Sequence, residues 1–393
     1  EGDAECLANV AAHQALGVPE GVTAVGVQHP YDDRFFRTHS PQRGLPRIQV
    51  PVLGEMAWQD EQTGPRGGLA FERTDPRRTW VIGTNGYHGM YAASPYAREQ
   101  LHRFLDHYVA GKDNGWTATP HVQLLHETDV AQAEPAWVTG TDDRTPGRLR
   151  TWCLAADGRL RGTRPDSAGA ASTYLTPTAS PGLLDEGLVV TPSTDYGLTW
   201  ENTPITPPGT LAFETDALRT DTTISGSSSL DLWITSSVGD ADVQATITEI
   251  RPDGQETYVQ RGWLRLSHRA LDRRASSRTR PVHPHTQATL LPVPADQPLL
   301  ARVEVLPVTH TFRAGSRLRI WLDTPSQTGL WGFLPNPAAP TSLTVLHDPR
   351  HPSRLVTRVL PGRAPVPLPA CGSLASQPCR PDPLAAPIGV DGA

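Results

Sequence analysis

Strict alternation of apolar and polar residues runs through much of the second half of this 393-residue chain. Residues 230–234, 243–248 and 317–322 all show it. Successive side chains of a β-strand point to opposite faces, so a period of two predicts strands with one buried face. Turn residues separate these segments, as at 252–254. The pattern predicts an antiparallel β-sandwich.

The first part of the chain has a different pattern. Residues 48–53 and 79–82 are short apolar runs of the kind found in buried strands. A helix signature follows, because Ser94 is a favourable N-cap residue, Pro95 suits the first helical position and Gly111 can end a helix. The order strand, strand, helix predicts an α/β arrangement.

Composition supports this division and narrows the classes of partner. The 39 prolines and 34 glycines fit many short strands joined by ordered turns, and the length favours two domains. The net charge of −6, without a basic block, argues against a nucleic-acid partner. The sequence contains no apolar run of about 18 residues, so it predicts no membrane-spanning helix. Residues 366–393 are rich in proline and alanine and predict a disordered tail.

The chain has four cysteines, whose pairing would indicate whether the protein is extracellular or cytoplasmic. Cys371 and Cys379 lie close together in a segment rich in small residues, where a local disulfide would suit a secreted protein. Two free thiols are the alternative. Cys6 and Cys153 are far apart in sequence and no pairing is predicted for them. We therefore expect an extracellular protein, with a cytoplasmic location as the alternative.

Two polar residues follow the two apolar runs of the α/β region. Asp60 comes after the first run and His88 after the second. Ligands bind beyond the carboxyl ends of strands in open α/β sheets, so these side chains are expected to meet there. The competing acids and bases are other residues of the same region: Glu55, Glu61, His39, His102 and His107.

A carboxylate and an imidazole are two parts of a serine hydrolase triad. The imidazole takes the proton of the serine hydroxyl, and the carboxylate orients the imidazole and stabilises its cation. In α/β-hydrolases the chain order is Ser, Asp, His, with the serine on a Gly-x-Ser-x-Gly turn. The 393 residues contain no such motif, and Ser40, the only serine before Asp60, is followed by Pro41. The sequence predicts an acid and a base but not their nucleophile.

Two histidine-containing segments hold residue types that bind metals. The first holds His121, His126 and Glu127, and the second holds His283 and His285. Neither has the His-Glu-x-x-His spacing that places ligands on one helix face, and the second lies in a proline-rich loop. No metal and no organic cofactor is predicted.

Several segments resemble the cocaine esterase and X-prolyl dipeptidyl-peptidase family of α/β-hydrolases. Residues 31–41 resemble the return from that family's helical cap, residues 50–60 its triad-acid loop and residues 82–89 its triad-histidine loop. The family usually has Gly-Gly or Gly-Ala where this chain has Glu55-Met56. Four later segments resemble the family's jelly roll: residues 211–215, 230–235, 245–254 and 308–320.

The resemblance implies a fold and a domain order. Residues 1–117 would be the C-terminal portion of an α/β-hydrolase domain with a remnant of the cap, and residues 118–365 a jelly-roll β-sandwich. The family hydrolyses esters or amides of small acyl groups, so a small-molecule ester or peptide is the implied substrate. Ester and X-Pro peptide substrates both remain open.

The resemblance also assigns roles. Asp60 would orient His88, and His88 would act as general base and then as general acid. Trp58 and Tyr87 would line the acyl pocket, with a place in the core as the alternative for both. The serine, the oxyanion donors and most of the cap belong to an N-terminal segment of the family. We expect this chain to be inactive without that segment, which would then be its partner.

A binding module is the alternative from another functional class. Jelly rolls often bind carbohydrate by stacking sugars on aromatic rings. Four tryptophans of the predicted sandwich are candidates for such a platform: Trp233, Trp263, Trp321 and Trp331.

Overall fold

The computed structural model describes residues 3–5, 8–9, 12, 21–60, 63–130, 133–141, 147–176, 184–185, 198–200, 209–325 and 341–385. These residues form three β-sheets, a two-stranded pair and a few short helices. No helix within these ranges has the length and hydropathy needed to cross a membrane. The β-rich content agrees with the class predicted from the sequence.

The first sheet, called the α/β sheet below, has four strands in the order β1-β2-β3-β4. The strands are Val52–Ala57 (β1), Thr79–Thr84 (β2), Val122–His126 (β3) and Trp137–Thr141 (β4). The first three run parallel and β4 is antiparallel to β3. Parallel pairing places the carboxyl ends of β1 and β2 at the same edge.

The first strand lies later than the sequence predicted. It begins at Val52 and continues through Gly54, which the apolar pattern had placed at its end. A Cβ atom on Gly54 would lie 2.3 Å from the ring of Phe71, so the absent side chain makes room for this ring. The second strand lies where it was expected and extends to Thr84.

The α-helices whose bounds lie within the described residues are Gly21–Gln28 (α1), Arg34–His39 (α2), Met90–Ala93 (α3) and Pro95–Tyr108 (α4). The start of α4 is as predicted, because Ser94 caps it and accepts a hydrogen bond from the backbone N–H of Ala97 at 3.3 Å. Gly111, with φ of 69°, follows the helix in the left-handed conformation that favours glycine.

The remaining strands follow in chain order: Arg148–Leu154 (β5), Leu160–Arg161 (β6), Ala171–Thr176 (β7), Leu184–Asp185 (β8), Thr199–Trp200 (β9), Leu211–Glu214 (β10), Thr222–Ser236 (β11), Asp242–Ile250 (β12), Gln255–Arg265 (β13), Leu299–Phe312 (β14), Arg317–Asp323 (β15), Thr341–Leu346 (β16), Arg354–Leu360 (β17) and Cys379–Pro381 (β18). One antiparallel sheet has the order β10-β15-β12-β13-β18. The other has the order β6-β5-β17-β11-β16-β7, with β14 also paired to β11. These two sheets are called the sandwich below.

The two sheets of the sandwich share one hydrophobic core. Leu230, Leu232 and Ile234 of β11 are fully buried, as are Val243 and Ala245 of β12, and all belong to one cluster. Burial of such a side chain contributes about 1.5–3 kcal/mol to the free energy of unfolding. The apolar residues of the alternation form this core, as expected. The expectation of one buried face is wrong for β12, because the polar residues Gln244, Thr246 and Thr248 on its other face are buried as well.

The α/β sheet extends beyond the domain boundary predicted at residues 117 and 118. Strand β3 pairs with β2 in parallel and β4 pairs with β3, so the sheet runs to Thr141. The sequence prediction placed these strands in the sandwich, because short strands of either sheet look alike locally. Pairing with distant β2 decides the sheet to which they belong.

The prediction of a disordered tail is wrong for residues 366–385. A disulfide joins Cys371 to Cys379, as the sequence suggested, and β18 pairs with β13. Leu374 and Ala375 of the enclosed loop are buried. Backbone pairing and burial order this segment despite its composition. The rest of the predicted tail, residues 386–393, lies outside the described residues.

Candidate active site

Asp60 lies in a short loop directly after β1. The backbone N–H of Trp58 donates to the carbonyl of Thr84 at 2.8 Å, which extends the pairing with β2 by one residue. The Asp60 carboxylate then accepts two hydrogen bonds from Thr63: one from its backbone N–H at 2.8 Å and one from its hydroxyl at 2.7 Å. These bonds fix the direction of the carboxylate, whose side chain is 14% exposed.

His88 lies in the loop after β2. Gly86 turns this loop with φ of +142°, a conformation that L side chains rarely adopt. A Cβ atom there would also lie 2.5 Å from the side chain of Met90. The loop leaves the imidazole of His88 40% exposed at the carboxyl edge of the sheet.

The two loops bring the predicted acid and base together. Nδ1 of His88 lies 3.0 Å from Oδ2 of Asp60. This distance is within hydrogen-bond range and matches the geometry expected for an acid that orients a catalytic histidine. The contact is the one that the positions after β1 and β2 predicted.

The competing candidates lie elsewhere or serve other contacts. Glu55 is a half-buried residue of β1, where burial raises the pKa of its carboxyl. His39 contacts the Phe35 carbonyl through Nδ1 at 2.8 Å. His102 is exposed on α4, and Nδ1 of His107 lies 3.1 Å from the Lys112 carbonyl. Glu61 lies outside the described residues.

The predicted acyl-pocket residues have different environments. Trp58 is 4% exposed and belongs to the main hydrophobic cluster. Its ring lies over Gly83, where a Cβ atom would be 2.3 Å from the indole. Trp58 thus packs in the core, in the space left by Gly83, and it also lines a gap beside Asp60, so its role in an acyl pocket stays a prediction. Tyr87 is half-buried and packs against Met90 and Ala375, and its role in a pocket stays a prediction.

A gap of about 10 Å³ lies beside Asp60, and its lining includes Trp58, Gln59 and Gln260.

Asn85 joins the histidine loop to the disulfide-closed loop of the tail. Its side chain is 2% exposed and uses both of its polar atoms. The amide oxygen accepts from the backbone N–H of Thr128 at 2.7 Å, and the amide nitrogen donates to the carbonyls of Thr128 and Ala375 at 3.1 and 3.3 Å. Neither Asn85 nor Thr63 was identified from the sequence. For Thr63 a signal existed, since an aspartate side chain often accepts from a backbone N–H a few residues later in a turn.

The first of the two segments considered as metal sites holds a buried ion pair. Glu127, with φ of 58°, receives two hydrogen bonds from Arg313 of the sandwich, at 2.5 and 2.7 Å. Desolvation raises the pKa of Glu127, and the Arg313 guanidinium opposes this shift. Burial, with smaller contributions from Arg313 and His310, lowers the pKa of His126 to about 4.

Two other histidines of these segments bond to the backbone. Nδ1 of His121 lies 2.9 Å from the Thr79 carbonyl, and His283 lies between the carbonyls of Ala270 and Arg302, each 2.9 Å away. Within the described ranges, no three residues of metal-ligating type form a group that could hold an ion.

The predicted tryptophan platform is wrong for the residues described. Trp321 is 1% exposed and donates its indole N–H to Glu256 at 2.6 Å. Trp233 belongs to β11, in one sheet of the sandwich, whereas Trp263 belongs to β13 in the other. These rings therefore do not share one open face. Trp331 lies outside the described residues.

Comparison with known proteins agrees with the resemblance seen in the sequence. A family model described as the X-Pro dipeptidyl-peptidase C-terminal non-catalytic domain matches residues 114–356. The match includes β3 and β4, although these strands pair with the α/β sheet.

Two curated proteins and one solved structure illustrate the similarity. A protein of Mycobacterium bovis named as a putative serine esterase is 26% identical over 271 residues, which are 65% of this chain and 40% of that protein. The cocaine esterase of a Rhodococcus species is 21% identical over 364 residues, which are 85% of this chain and 60% of the esterase. A crystal structure of a CocE/NonD family hydrolase from Staphylococcus aureus has a TM-score of 0.68 at 20% identity, covering 87% of this chain and 60% of that one.

At this identity the structural likeness shows the fold alone. The chain spans 40–60% of the length of these curated relatives. The family follows from the model that matches more than half of the chain. The chain belongs to the cocaine esterase and X-Pro dipeptidyl-peptidase family of hydrolases and carries that family's C-terminal non-catalytic domain.

Proposed function

We propose that this chain is part of a serine hydrolase of small acyl esters or amides, with Asp60 and His88 as the acid and base of its triad. The observation that carries the proposal is the 3.0 Å contact between the two side chains at the ends of adjacent parallel strands. The names of the relatives, serine esterase and cocaine esterase, support the same class of reaction.

The geometry determines which nitrogen of His88 would act on the substrate. With Nδ1–H donated to Asp60, the neutral ring is basic at Nε2. Nε2 would take the proton of the attacking hydroxyl and later deliver it to the leaving group. The Asp60 carboxylate, held by Thr63, would stabilise the imidazolium that forms between these steps.

The nucleophile is the remaining part of the proposal. The 393 residues hold no Gly-x-Ser-x-Gly motif. We infer that a serine outside these residues attacks the acyl carbon, and the greater length of the curated relatives supports this. The chain by itself would then form no acyl-enzyme, and the segment with the serine would be its partner.

A fluorophosphonate probe, which labels activated serines, tests the proposal. In the protein encoded by the complete gene we expect labelling of one serine, and His88→Ala should reduce its rate by about 10³-fold or more. His102→Ala, which replaces an exposed histidine of α4, is the matched control and should be labelled at the wild-type rate. Labelling of the 393-residue chain on one of its own serines would contradict the proposed place of the nucleophile.

Substrate choice needs a separate measurement. The relatives are named for esters, whereas the matched family model is named for X-Pro peptides. We propose an ester or amide of a small acyl group. Hydrolysis of p-nitrophenyl acetate and of an alanyl-prolyl p-nitroanilide, compared by kcat/KM, would decide between the two.

Two further features are proposed with the function. We infer a jelly-roll topology for the sandwich, supported by its two antiparallel sheets and by the family match, and an experimental structure would test it.

We also propose an extracellular location, supported by the disulfide between Cys371 and Cys379. Finding both thiols reduced in protein taken from its source would contradict that location.

A further inference from the structure

Gln59 connects the acid loop to the histidine loop. It directly precedes Asp60 and is 2% exposed. Its backbone N–H donates to the Gly86 carbonyl at 3.2 Å, and the Gly86 N–H donates to the side-chain oxygen of Gln59 at 3.0 Å. Gly86 lies two residues before His88, so this reciprocal pair of bonds ties the two loops together beside the acid–base contact.

The same side chain reaches the sandwich. The amide nitrogen of Gln59 donates to the Val259 carbonyl of β13 at 2.9 Å. The next residue of that strand, Gln260, donates in the opposite direction to the Trp58 carbonyl at 2.6 Å. Two consecutive residues of the acid loop therefore exchange amide hydrogen bonds with two consecutive residues of β13.

Gln260 is itself held firmly. Its amide nitrogen also donates to the Pro307 carbonyl at 3.1 Å, and its oxygen accepts from the Tyr258 hydroxyl and the Arg261 N–H, both at 3.0 Å. The sandwich thus presents a fixed donor to the acid loop. A buried amide with all its groups bonded is costly to displace, because each broken bond leaves a desolvated polar group.

We propose that Gln59 is a positioning residue that sets the alignment of Asp60 with His88 by binding the histidine loop and the sandwich with a single amide. This inference rests on the proposed function of the acid–base pair. It gives the family's non-catalytic domain a part in catalysis, since the β13 backbone supports the acid loop. Gln59 acts through Asp60 and His88 and does not touch the reacting atoms.

A second buried glutamine of the α/β sheet provides a matched control. Gln123 of β3 is also 2% exposed, and its amide oxygen accepts from the Tyr96 hydroxyl at 2.6 Å. Replacement of either glutamine by methionine keeps the length of the side chain and removes its hydrogen bonds. A purely structural role would give the two variants similar effects on His88.

The test uses the 393-residue chain with ¹⁵N-labelled histidine, and His88→Gln identifies the His88 signals by their loss. Wild-type His88 should be protonated at Nδ1, with slow exchange of that proton with solvent. In Gln59→Met we expect this exchange to be about tenfold faster, because the hydrogen bond from His88 to the charged Asp60 is weakened. The two tautomers of His88 should then both be populated. In Gln123→Met the exchange should stay within about twofold of wild type.

The inference would be overturned if the Nδ1 proton of His88 exchanges as slowly in a folded Gln59→Met variant as in wild type. An equal increase of the exchange rate in Gln123→Met would also overturn it. If Gln59→Met loses its cooperative melt, Gln59→Glu takes its place, because it keeps the acceptor for Gly86 and loses the donor to Val259. Exchange as slow as wild type in Gln59→Glu would equally refute the role. This measurement needs no hydrolysis, so its failure is separate from a failure of the fluorophosphonate test.

Discussion

The interior of the sandwich and its junction with the α/β sheet are stabilised in different ways. The sandwich has a continuous apolar cluster with members from both of its sheets. Of the described α/β-sheet region, Trp58 and Leu124 belong to that cluster and Met56 and Val122 pack against it. Polar contacts also join the two regions. These involve the amides of Gln59 and Gln260 and the ion pair of Glu127 with Arg313.

The apolar contacts stabilise the fold, whereas the polar contacts orient the loops at the junction. Apolar contacts are not directional, so a core can hold two sheets together without fixing the position of a loop to a fraction of an ångström. Hydrogen bonds have preferred lengths and angles, and buried ones are costly to break. The proposed site lies where the polar contacts are found.

The largest effect is expected from the ion pair that crosses the junction. Arg313→Met leaves the Glu127 carboxylate, 5% exposed, buried without its guanidinium. We expect a loss of about 3–5 kcal/mol in the free energy of unfolding. Urea denaturation measures this loss, and adding Glu127→Gln should recover part of it. The exposed Lys112 beside Asp106 is the control, and Lys112→Met should cost about 0.5 kcal/mol or less.

The free energy of unfolding should also depend on pH, because the buried side chain of His126 titrates. Burial lowers its pKa from 6.5 to about 4 in the folded protein. Between these values the unfolded chain binds the proton and the folded chain does not, so stability falls as pH decreases from about 6.5 to about 4. The loss attributable to this group is about 3 kcal/mol.

His126→Gln should remove that part of the pH dependence. Urea titrations at pH 7 and pH 4 would show a smaller loss of stability in the variant than in wild type. His102→Gln, which replaces an exposed histidine, should retain the wild-type slope. Equal slopes for His126→Gln and wild type would show that His126 is not held neutral at the junction.

A smaller effect is expected from the disulfide that closes the tail loop. The loop contacts both regions, since Ala375 accepts from Asn85 and Gln377 donates to the Tyr258 carbonyl at 2.9 Å. The two cysteines are eight residues apart, so their bond restricts the unfolded chain and contributes about 2 kcal/mol. Replacing both Cys371 and Cys379 by serine should lower the free energy of unfolding by this amount. Reductant should lower wild type similarly and leave the double variant unchanged.

Much of the architecture could be predicted from local patterns. The start of α4 follows from the capping ability of Ser94 and the fixed backbone of Pro95. Strand alternation identified the apolar faces that form the core of the sandwich, because the side-chain period of a strand is two. The meeting of Asp60 with His88 followed from their positions after two neighbouring strands.

Contacts between distant residues could not be predicted in this way. Gly54 and Gly83 directly follow the two apolar runs, yet both lie inside strands, under the rings of Phe71 and Trp58. Gln59 bonds to a carbonyl 200 positions away, and no local pattern indicates such a partner.

The smallest effects are expected from two buried tyrosines, one inside the sandwich and one at the junction. Tyr174 is 1% exposed, and its hydroxyl has no hydrogen-bond partner within the part of the chain that the structure describes. Tyr258, equally buried, donates to Gln260, which holds the acid loop. Removing an unbonded buried hydroxyl relieves a desolvation cost, whereas removing a bonded one leaves its acceptor with one partner fewer.

The two Tyr→Phe variants should therefore change stability in opposite directions. Tyr174→Phe should raise the free energy of unfolding by about 1 kcal/mol, and Tyr258→Phe should lower it by about 1 kcal/mol. Urea denaturation under identical conditions compares them, with the m-values checked for a common unfolded state. Because both variants remove the same atom from equally buried rings, apolar burial contributes nearly equally to both. A change of the same sign and size in the two would mean that the hydroxyl of Tyr258 contributes nothing specific to the junction.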